Sequence, residues 1–137
     1  MDKVELAKAI ATFAHEGQID KGGNPYIEHP VYVSNAFSDE THKTVALLHD
    51  VLEDTFVTES TIRNLFGDEI ADAVVALTRA DDETYLQFIY RVKENDIAKA
   101  VKLQDILHNS ELSRIPNPTE KDFKRLNRYK EALKILE

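Results

Sequence analysis

Apolar side chains recur every three or four residues over most of the chain, which is the spacing of one face of an α-helix. The first such stretch ends around Gly17 and carries Val4, Ala7, Ile10, Ala11 and Ala14. The strict alternation typical of β-strands is nearly absent. The pattern therefore predicts a helical protein that begins with an amphipathic helix.

A loop and a short helix are expected next. The segment QIDKGGNPYIEHP contains two glycines and two prolines, which is typical of a loop with fixed corners. Proline is well tolerated in the first turn of a helix, so a short helix through Val33 and Ala36 is predicted after Pro30. Because a residue before proline is biased away from the helical conformation, His29 is expected in the loop, at the start of that helix.

Six further helices follow from periodicity and capping signals. Val45, Leu48, Val51 and Leu52 predict one continuous helix that is buried on several sides. The next helix runs from Thr58 as its cap to Gly67, and Asp68 begins another. Two more are predicted over residues 83–94 and 96–112. The last follows Thr119 and Asp122, a pair that resembles a capping box, and its apolar stripe is Phe123, Leu126, Tyr129, Leu133 and Leu136.

These elements predict an all-α, compact, single-domain bundle over residues 1–137. A chain of this length can bury roughly two thirds of its unfolded surface in one core. Its apolar fraction of 42% and charged fraction of 31% are ordinary for a globular protein. No apolar run is long enough for a membrane span and the first residues do not resemble a signal peptide, so a cytoplasmic protein without a membrane partner is expected.

Charge and cysteine content narrow the chemistry. The net charge of −8 disfavours a nucleic-acid polymer as partner, because binding of phosphates along a polymer requires a basic face. The chain has no cysteine, which excludes disulfides, thiol nucleophiles and cysteine-ligated zinc. A bound metal would therefore need histidine, carboxylate or water as ligands. The oligomeric state is left open.

Ionisable residues interrupt two of the apolar patterns. In LLHDVLEDT, Asp50, Glu53 and Asp54 would share one helical face with His49 beside Glu53. In VKLQDILHN, Lys102, Asp105 and Asn109 are spaced by three and four residues. Buried carboxylates without partners would cost several kcal/mol each, so either these groups reach solvent or a cation lies among them.

Four of the residues near the predicted core could form one metal site. His29, His49, Asp50 and Asp105 together offer nitrogen and oxygen ligands and would leave positions open for water and substrate. Imidazole with carboxylate suits Mn²⁺ or Fe²⁺, and Zn²⁺ as well. Spacing alone leaves the alternatives of a solvated acidic face, a packed or capping His29 and an ordinary Lys102–Asp105 ion pair.

Four ordered blocks resemble the HD-domain metal-dependent phosphohydrolases, and within them the hydrolase domain of RelA/SpoT proteins and the small alarmone hydrolases. The similarity extends from about residue 7 to about residue 130, and the blocks that carry it read AHEGQIDKGGNPYIEHP, ALLHDVLEDT, FGDEIADAVVALTR and VKLQDILHN. The resemblance implies a helical HD bundle that removes the 3′-diphosphate of guanosine tetraphosphate or pentaphosphate, releasing pyrophosphate and GDP or GTP.

The same resemblance implies roles for individual residues. His29, His49, Asp50 and Asp105 would hold one divalent ion, manganese in the family. Glu53 and Asp54 match the catalytic acidic pair, and one of them would orient or deprotonate the attacking, metal-activated water. Lys21 and Asn109 match positions that contact the substrate, and Lys102 and Tyr26 belong to the same blocks. His15 lies in the first block, where a packing or hydrogen-bonding role is expected.

The chain departs from the family at two positions. Asp20 stands where alarmone hydrolases usually have arginine, and Ser110-Glu111 replaces a frequent leucine-arginine pair. Both changes exchange a cation for an anion, which keeps a second hypothesis open: the same chemistry on another phosphorylated nucleotide, such as an adenosine alarmone, a nucleoside triphosphate or NADPH. A third hypothesis, a nucleotide-binding module without catalysis, is disfavoured because every ligand and both acidic residues are present.

Overall fold

The structure of the chain is a computed structural model that describes residues 1–137. It contains eight α-helices of seven or more residues and one helix, α4, of a single turn. The helices are α1 (Lys3–Ala14), α2 (Glu28–Ser34), α3 (Glu40–Leu48), α4 (Val51–Asp54), α5 (Glu59–Phe66), α6 (Asp68–Ala76), α7 (Tyr85–Lys93), α8 (Asp96–Asn109) and α9 (Glu120–Leu136). The prediction of an all-α bundle is confirmed.

The first helix and its loop follow from local chemistry. Asp2 caps α1 by accepting a hydrogen bond from the Glu5 amide at 2.8 Å. Gly17 has φ +84°, a conformation that side chains with Cβ rarely adopt, and it turns the chain away from α1. One isolated antiparallel bridge, between Ile19 and Pro25, closes the loop that follows.

The second helix begins earlier than predicted. Glu28 and His29 are its first two residues, so His29 lies in the first turn of α2 and not in the preceding loop. Pro30 is the third helical residue, where a backbone N–H would have no partner within the helix. The bias that proline imposes on the residue before it is a preference, and here the helix start outweighs it.

The predicted continuous helix through Val45 and Val51 is wrong in one respect, because it is broken at His49-Asp50 into α3 and α4. The Nδ1 atom of His49 lies 2.6 Å from the Ala46 carbonyl oxygen. That carbonyl would accept the backbone N–H of residue 50 in an unbroken helix. The histidine side chain therefore replaces a backbone donor and lets the chain turn.

The starts of α5 and α9 follow the predicted caps. Thr58 accepts from the Thr61 amide at the start of α5, and Asp122 accepts the Thr119 amide at 2.7 Å at the start of α9. Gly67, with φ +90°, separates α5 from α6. Helix α8 ends at Asn109, three residues before the predicted boundary, and a 3-10 turn over Leu112–Arg114 follows it.

One apolar core holds these elements together. Helix α3 lies at its centre, packed against α1, α2, α6 and α8, and residues 44–48 are all buried. One predicted core position is wrong: Phe123 is 50% exposed, because the buried stripe of α9 is narrower than the apolar pattern suggests. No helix has the length and hydropathy needed to cross a bilayer.

Candidate metal centre and adjoining cavity

Three helices bring His29, His49 and Asp105 together at the centre of the bundle. His29 comes from the first turn of α2, His49 from the end of α3 and Asp105 from the middle of α8. One ligand atom from each lies within 4.8 Å of the others, and all three residues are buried. Side chains that are far apart in sequence thus converge on one point.

The His49 ring presents a free nitrogen to this point. Its Nδ1 donates to the Ala46 carbonyl, so the neutral form of the ring carries its lone pair on Nε2. That Nε2 atom is buried and has no hydrogen-bond partner, although Asp50 Oδ2 lies 3.0 Å and Asp105 Oδ1 3.5 Å away. A histidine held through one nitrogen with the other free among carboxylates fits a metal ligand.

The His29 ring is held between two partners. Its Nε2 lies 2.7 Å from Asp105 Oδ1 and its Nδ1 lies 2.8 Å from Nδ1 of His108, whose ring is stacked nearly parallel to it. Burial, followed by the charge of Arg114, lowers the pKa of His108 to about 4. A neutral His108 can accept a hydrogen bond from His29 Nδ1, and this leaves the His29 Nε2 lone pair free for a metal.

Asp50 lies beside the cluster. Its Oδ2 accepts a hydrogen bond from the Tyr26 hydroxyl and lies 3.0 Å from His49 Nε2. Burial by itself would raise the pKa of Asp50, but the nearby His49 imidazolium and the hydrogen bonds lower it to about 2. Burial opposes the charged form of His49 as well, and the two carboxylates nevertheless raise its pKa well above the usual value. The two carboxylates thus favour a positive charge beside them, at the centre of the cluster.

Asp105 is the most heavily bonded acidic group in the site. Its Oδ1 also accepts from Asn109 at 2.9 Å, and its Oδ2 accepts from Lys102 at 2.8 Å. Burial would raise the pKa of Asp105, but the Lys102 ammonium group and the two histidines hold it well below its usual range. The carboxylate therefore stays ionised at neutral pH.

Glu53 and Asp54 lie on the solvent side of Asp50, on the single turn α4. Partial burial, followed by the charges of Asp54 and Asp50, raises the pKa of Glu53. Partial burial and the charge of Asp50 likewise raise the pKa of Asp54. Carboxylates with a raised pKa and access to solvent are suited to proton transfer.

A cavity of about 390 Å³ adjoins the metal-ligand cluster. Three of the four residues predicted to contact substrate, Lys21, Tyr26 and Asn109, are among its lining residues. Tyr26 and Asn109 also hydrogen bond to Asp50 and Asp105, so they connect the cavity to the cluster. The fourth, Lys102, does not line this cavity; it pairs with Asp105 and lies 5.2 Å from the centre of the Phe88 ring.

Two cations of the cavity were not predicted from the sequence. Arg114 and Arg125 line it with Lys21, and both come from segments after the fourth block. Arg114 lies 3.4 Å from Asp20, while Asp20 Oδ1 also accepts the Gly22 and Asn24 amides at 2.9 Å. Asp20 therefore organises the loop, and a cation from elsewhere in the chain lies beside it. The only indication of these cations in the sequence was the position of Arg114, three residues after Glu111.

Comparisons with known proteins agree with this arrangement. The family model for the HD domain matches residues 7–113. Relatives include the guanosine-3′,5′-bis(diphosphate) 3′-pyrophosphohydrolase of Haemophilus influenzae, 34% identical over 73% of this chain, and the bifunctional (p)ppGpp synthase/hydrolase SpoT of Escherichia coli, 32% identical over 78%. Each match covers 17% of the relative's own length, so the chain spans about a sixth of these curated proteins.

A solved structure extends the likeness to the whole chain. It is that of a metazoan orthologue of SpoT that hydrolyses ppGpp and plays a role in starvation responses. The two chains are 27% identical, superpose with a TM-score of 0.84, and the match covers 99% of this chain and 86% of the other. The matched domain and the buried histidine–aspartate cluster show that the chain belongs to the HD-domain family, whose fold implies divalent-metal binding.

Proposed function

We propose that this domain is a metal-dependent phosphohydrolase that removes pyrophosphate from the 3′ position of guanosine tetraphosphate or pentaphosphate. The observation that carries the proposal is the convergence of His29, His49 and Asp105, with Asp50 beside them, next to a cavity lined by three cations. The names and the structure of the relatives support the same reaction. The substrate class is a small phosphorylated nucleotide.

The proposed metal ligands are His29, His49, Asp50 and Asp105, and the proposed ion is Mn²⁺. Two imidazole nitrogens with carboxylate oxygens suit Mn²⁺ and Fe²⁺, and they suit Zn²⁺ as well. When bound, a divalent cation lowers the pKa of water and stabilises negative charge on the attacked phosphoryl group. Tyr26, His108, Asn109 and Lys102 orient these ligands through the hydrogen bonds described above.

Side chains of the protein transfer the protons and bind the phosphates of the substrate. Glu53 or Asp54 takes a proton from the attacking water, whose oxygen bonds to the phosphorus that bears the 3′ oxygen. The bond from that phosphorus to the 3′ oxygen breaks, the 3′ oxygen takes up a proton, and pyrophosphate leaves. Lys21, with Arg114 and Arg125, offers positive charge to the remaining phosphates within the cavity.

A turnover assay tests the proposal. Purified protein with Mn²⁺ is incubated with guanosine tetraphosphate, guanosine pentaphosphate and GTP, and the release of pyrophosphate and of phosphate is measured. We expect pyrophosphate from the first two and none with Asp105→Asn, which keeps the shape of the side chain but removes its charge. Absence of pyrophosphate from both 3′-diphosphates with Mn²⁺-saturated protein would contradict the proposal.

A second candidate substrate is a different phosphorylated nucleotide. Asp20 and Glu111 both line the cavity and place negative charge where the family usually has cations. An adenosine alarmone, a nucleoside triphosphate or NADPH would use the same metal chemistry with other contacts in the cavity. Adding these compounds to the panel decides between them, because the preferred substrate has the highest kcat/KM.

A further inference from the structure

One side chain from the first loop is hydrogen bonded to the helix that carries the acidic pair. Gln18 Nε2 donates to the backbone carbonyl of Asp54 at 3.0 Å, across 36 positions of sequence. The Gln18 backbone is fixed on both sides, since its N–H donates to His15 and its carbonyl accepts from Tyr26. The amide group thus reaches α4 from a well-anchored position.

A buried histidine fixes which way this amide points. His15 Nδ1 lies 2.9 Å from Gln18 Oε1, and His15 is only 2% exposed. Because the Asp54 carbonyl can only accept, the Gln18 NH₂ group must face it and the amide oxygen must face His15. His15 therefore carries its hydrogen on Nδ1, and its Nε2 is left buried and without a partner.

The Asp54 carbonyl is a group whose direction matters. Helix α4 has four residues, so its carbonyls lie in a C-terminal turn, where intrahelical donors run out. Gln18 holds the peptide group that follows Asp54, the second residue of the acidic pair. Holding this peptide in place therefore holds the backbone that carries both carboxylates near Asp50.

We infer that Gln18, oriented by His15, is a positioning residue for the acidic pair Glu53 and Asp54. The inference rests on the proposed function, because it assigns these carboxylates the proton transfer. The Gln18 side chain hydrogen bonds to His15 and to Asp54, and Gln18 does not line the cavity, so its effect is expected on the chemical step and not on binding. Misplacing a reacting group by about 1 Å can cost on the order of a hundredfold in rate.

Two substitutions at Gln18 separate its two hydrogen bonds. Gln18→Glu keeps an acceptor for His15 but loses the donor to Asp54, and Gln18→Ala loses both. We expect each to lower kcat about tenfold or more, with KM and the Kd for Mn²⁺ within about twofold of wild type. The matched control is Gln87→Ala, which removes an exposed glutamine away from the site whose side-chain oxygen accepts from the backbone amide of Thr84.

Substitution of His15 tests the orientation step. His15→Asn keeps an N–H donor near the position of Nδ1 and is expected to retain most of kcat. His15→Ala removes the donor and is expected to match Gln18→Ala. The double variant His15→Ala/Gln18→Ala should then be no slower than either single variant, because the two residues act through one contact.

Hydrogen–deuterium exchange gives a readout that does not depend on substrate. In Mn²⁺-loaded protein, we expect peptides covering residues 50–58 to exchange faster in Gln18→Ala than in wild type or Gln87→Ala. Unchanged exchange there, an unchanged kcat, or a fall in kcat matched by lost Mn²⁺ binding would each overturn the inference. If the wild-type protein turns over no nucleotide, the proposed function fails, and exchange alone decides whether Gln18 positions α4.

Discussion

At the scale of single residues, the site contains more negative than positive charge. Asp50, Glu53, Asp54 and Asp105 lie near one another, and Lys102 is the one lysine whose ammonium group contacts any of them. The unpartnered His49 Nε2 faces two of these carboxylates. A divalent cation satisfies both the free nitrogen and the excess negative charge, and the consequences can be tested residue by residue.

The acidic pair should be required for turnover but not for metal binding. Glu53→Gln or Asp54→Asn removes a carboxylate with a raised pKa while preserving its size. We expect kcat to fall by at least about a hundredfold for the residue that moves the proton. The Kd for Mn²⁺, measured by calorimetry, should change less than about threefold. Glu69→Gln, an exposed change on α6, is the control, and full activity in both site variants would refute the assignment.

Lys102 should matter most when no metal is bound. Lys102→Met keeps the apolar stem beside Phe88 but leaves Asp105 buried without its cation. Breaking a buried pair costs about 3 kcal/mol or more in the free energy of unfolding, which is the loss expected in the presence of a chelator. With saturating Mn²⁺ the loss should be smaller, because the metal then compensates Asp105. Urea unfolding measures both values, with Lys99→Met on the same helix as control.

At the scale of elements, the positions where helices end determine which side chains reach the site. The break between α3 and α4 directs His49 into the cluster and leaves Glu53 and Asp54 on the solvent side. Helix α9 contributes through its first turn, where Asp122 accepts from Thr119 and pairs with Lys21 of the first loop at 3.1 Å. This contact therefore joins the loop that carries Lys21, a lining residue of the cavity, to a distant helix.

That contact predicts a dependence of stability on acid. Hydrogen bonds from the Thr119 amide and from Lys21 lower the pKa of Asp122 to about 2, below the ordinary 3.8. The stabilisation is therefore complete above about pH 4 and is lost as the pH falls toward 2. Asp122→Asn should lose less stability than wild type over this interval, as measured by urea midpoints at successive pH values. Glu120→Gln, an exposed change in the same turn, should follow wild type, and equal slopes in all three proteins would contradict the assignment.

At the scale of the whole molecule, the proposed metal ligands come from parts of the chain that are far apart. Ligand residues come from α2, from the break after α3 and from α8, so a cation bound among them stabilises the packing of all three. On this proposal, we expect metal content to determine global stability as well as activity.

Removing the metal should lower the unfolding temperature. A ligand at one hundred times its Kd stabilises a folded protein by about 2.7 kcal/mol, which for a domain of this size is a shift of roughly 8 °C. We expect Mn²⁺ to raise the melting temperature of wild type by about this amount, and a chelator to reverse the shift and abolish turnover. Asp105→Asn should show little or no shift. Retained turnover after thorough chelation would exclude a metal-dependent mechanism.

Predictability from sequence differed between elements and site. The caps at Thr58 and Thr119 and the separation at Gly67 were predicted correctly, because capping and positive φ are local properties. The start of α2 was not predicted correctly, because it depends on a balance of local preferences. The break at His49 was not predicted either, because it depends on a side chain that competes with the backbone for a carbonyl. The roles of Arg114 and Arg125 were missed because both reach the cavity from segments outside the matched blocks.

The sequence by itself determined that the chain is helical, where most helices begin, and which four blocks carry its ionisable residues. Short-range periodicity, caps and glycines specify these features because they act within a few residues. Only the tertiary structure decided that His29, His49 and Asp105 meet and that Asp20 lies beside Arg114. It also decided that Gln18 reaches the carbonyl of Asp54. The physical reason is that such contacts depend on how the helices pack around the shared core, and no local sequence pattern specifies that packing.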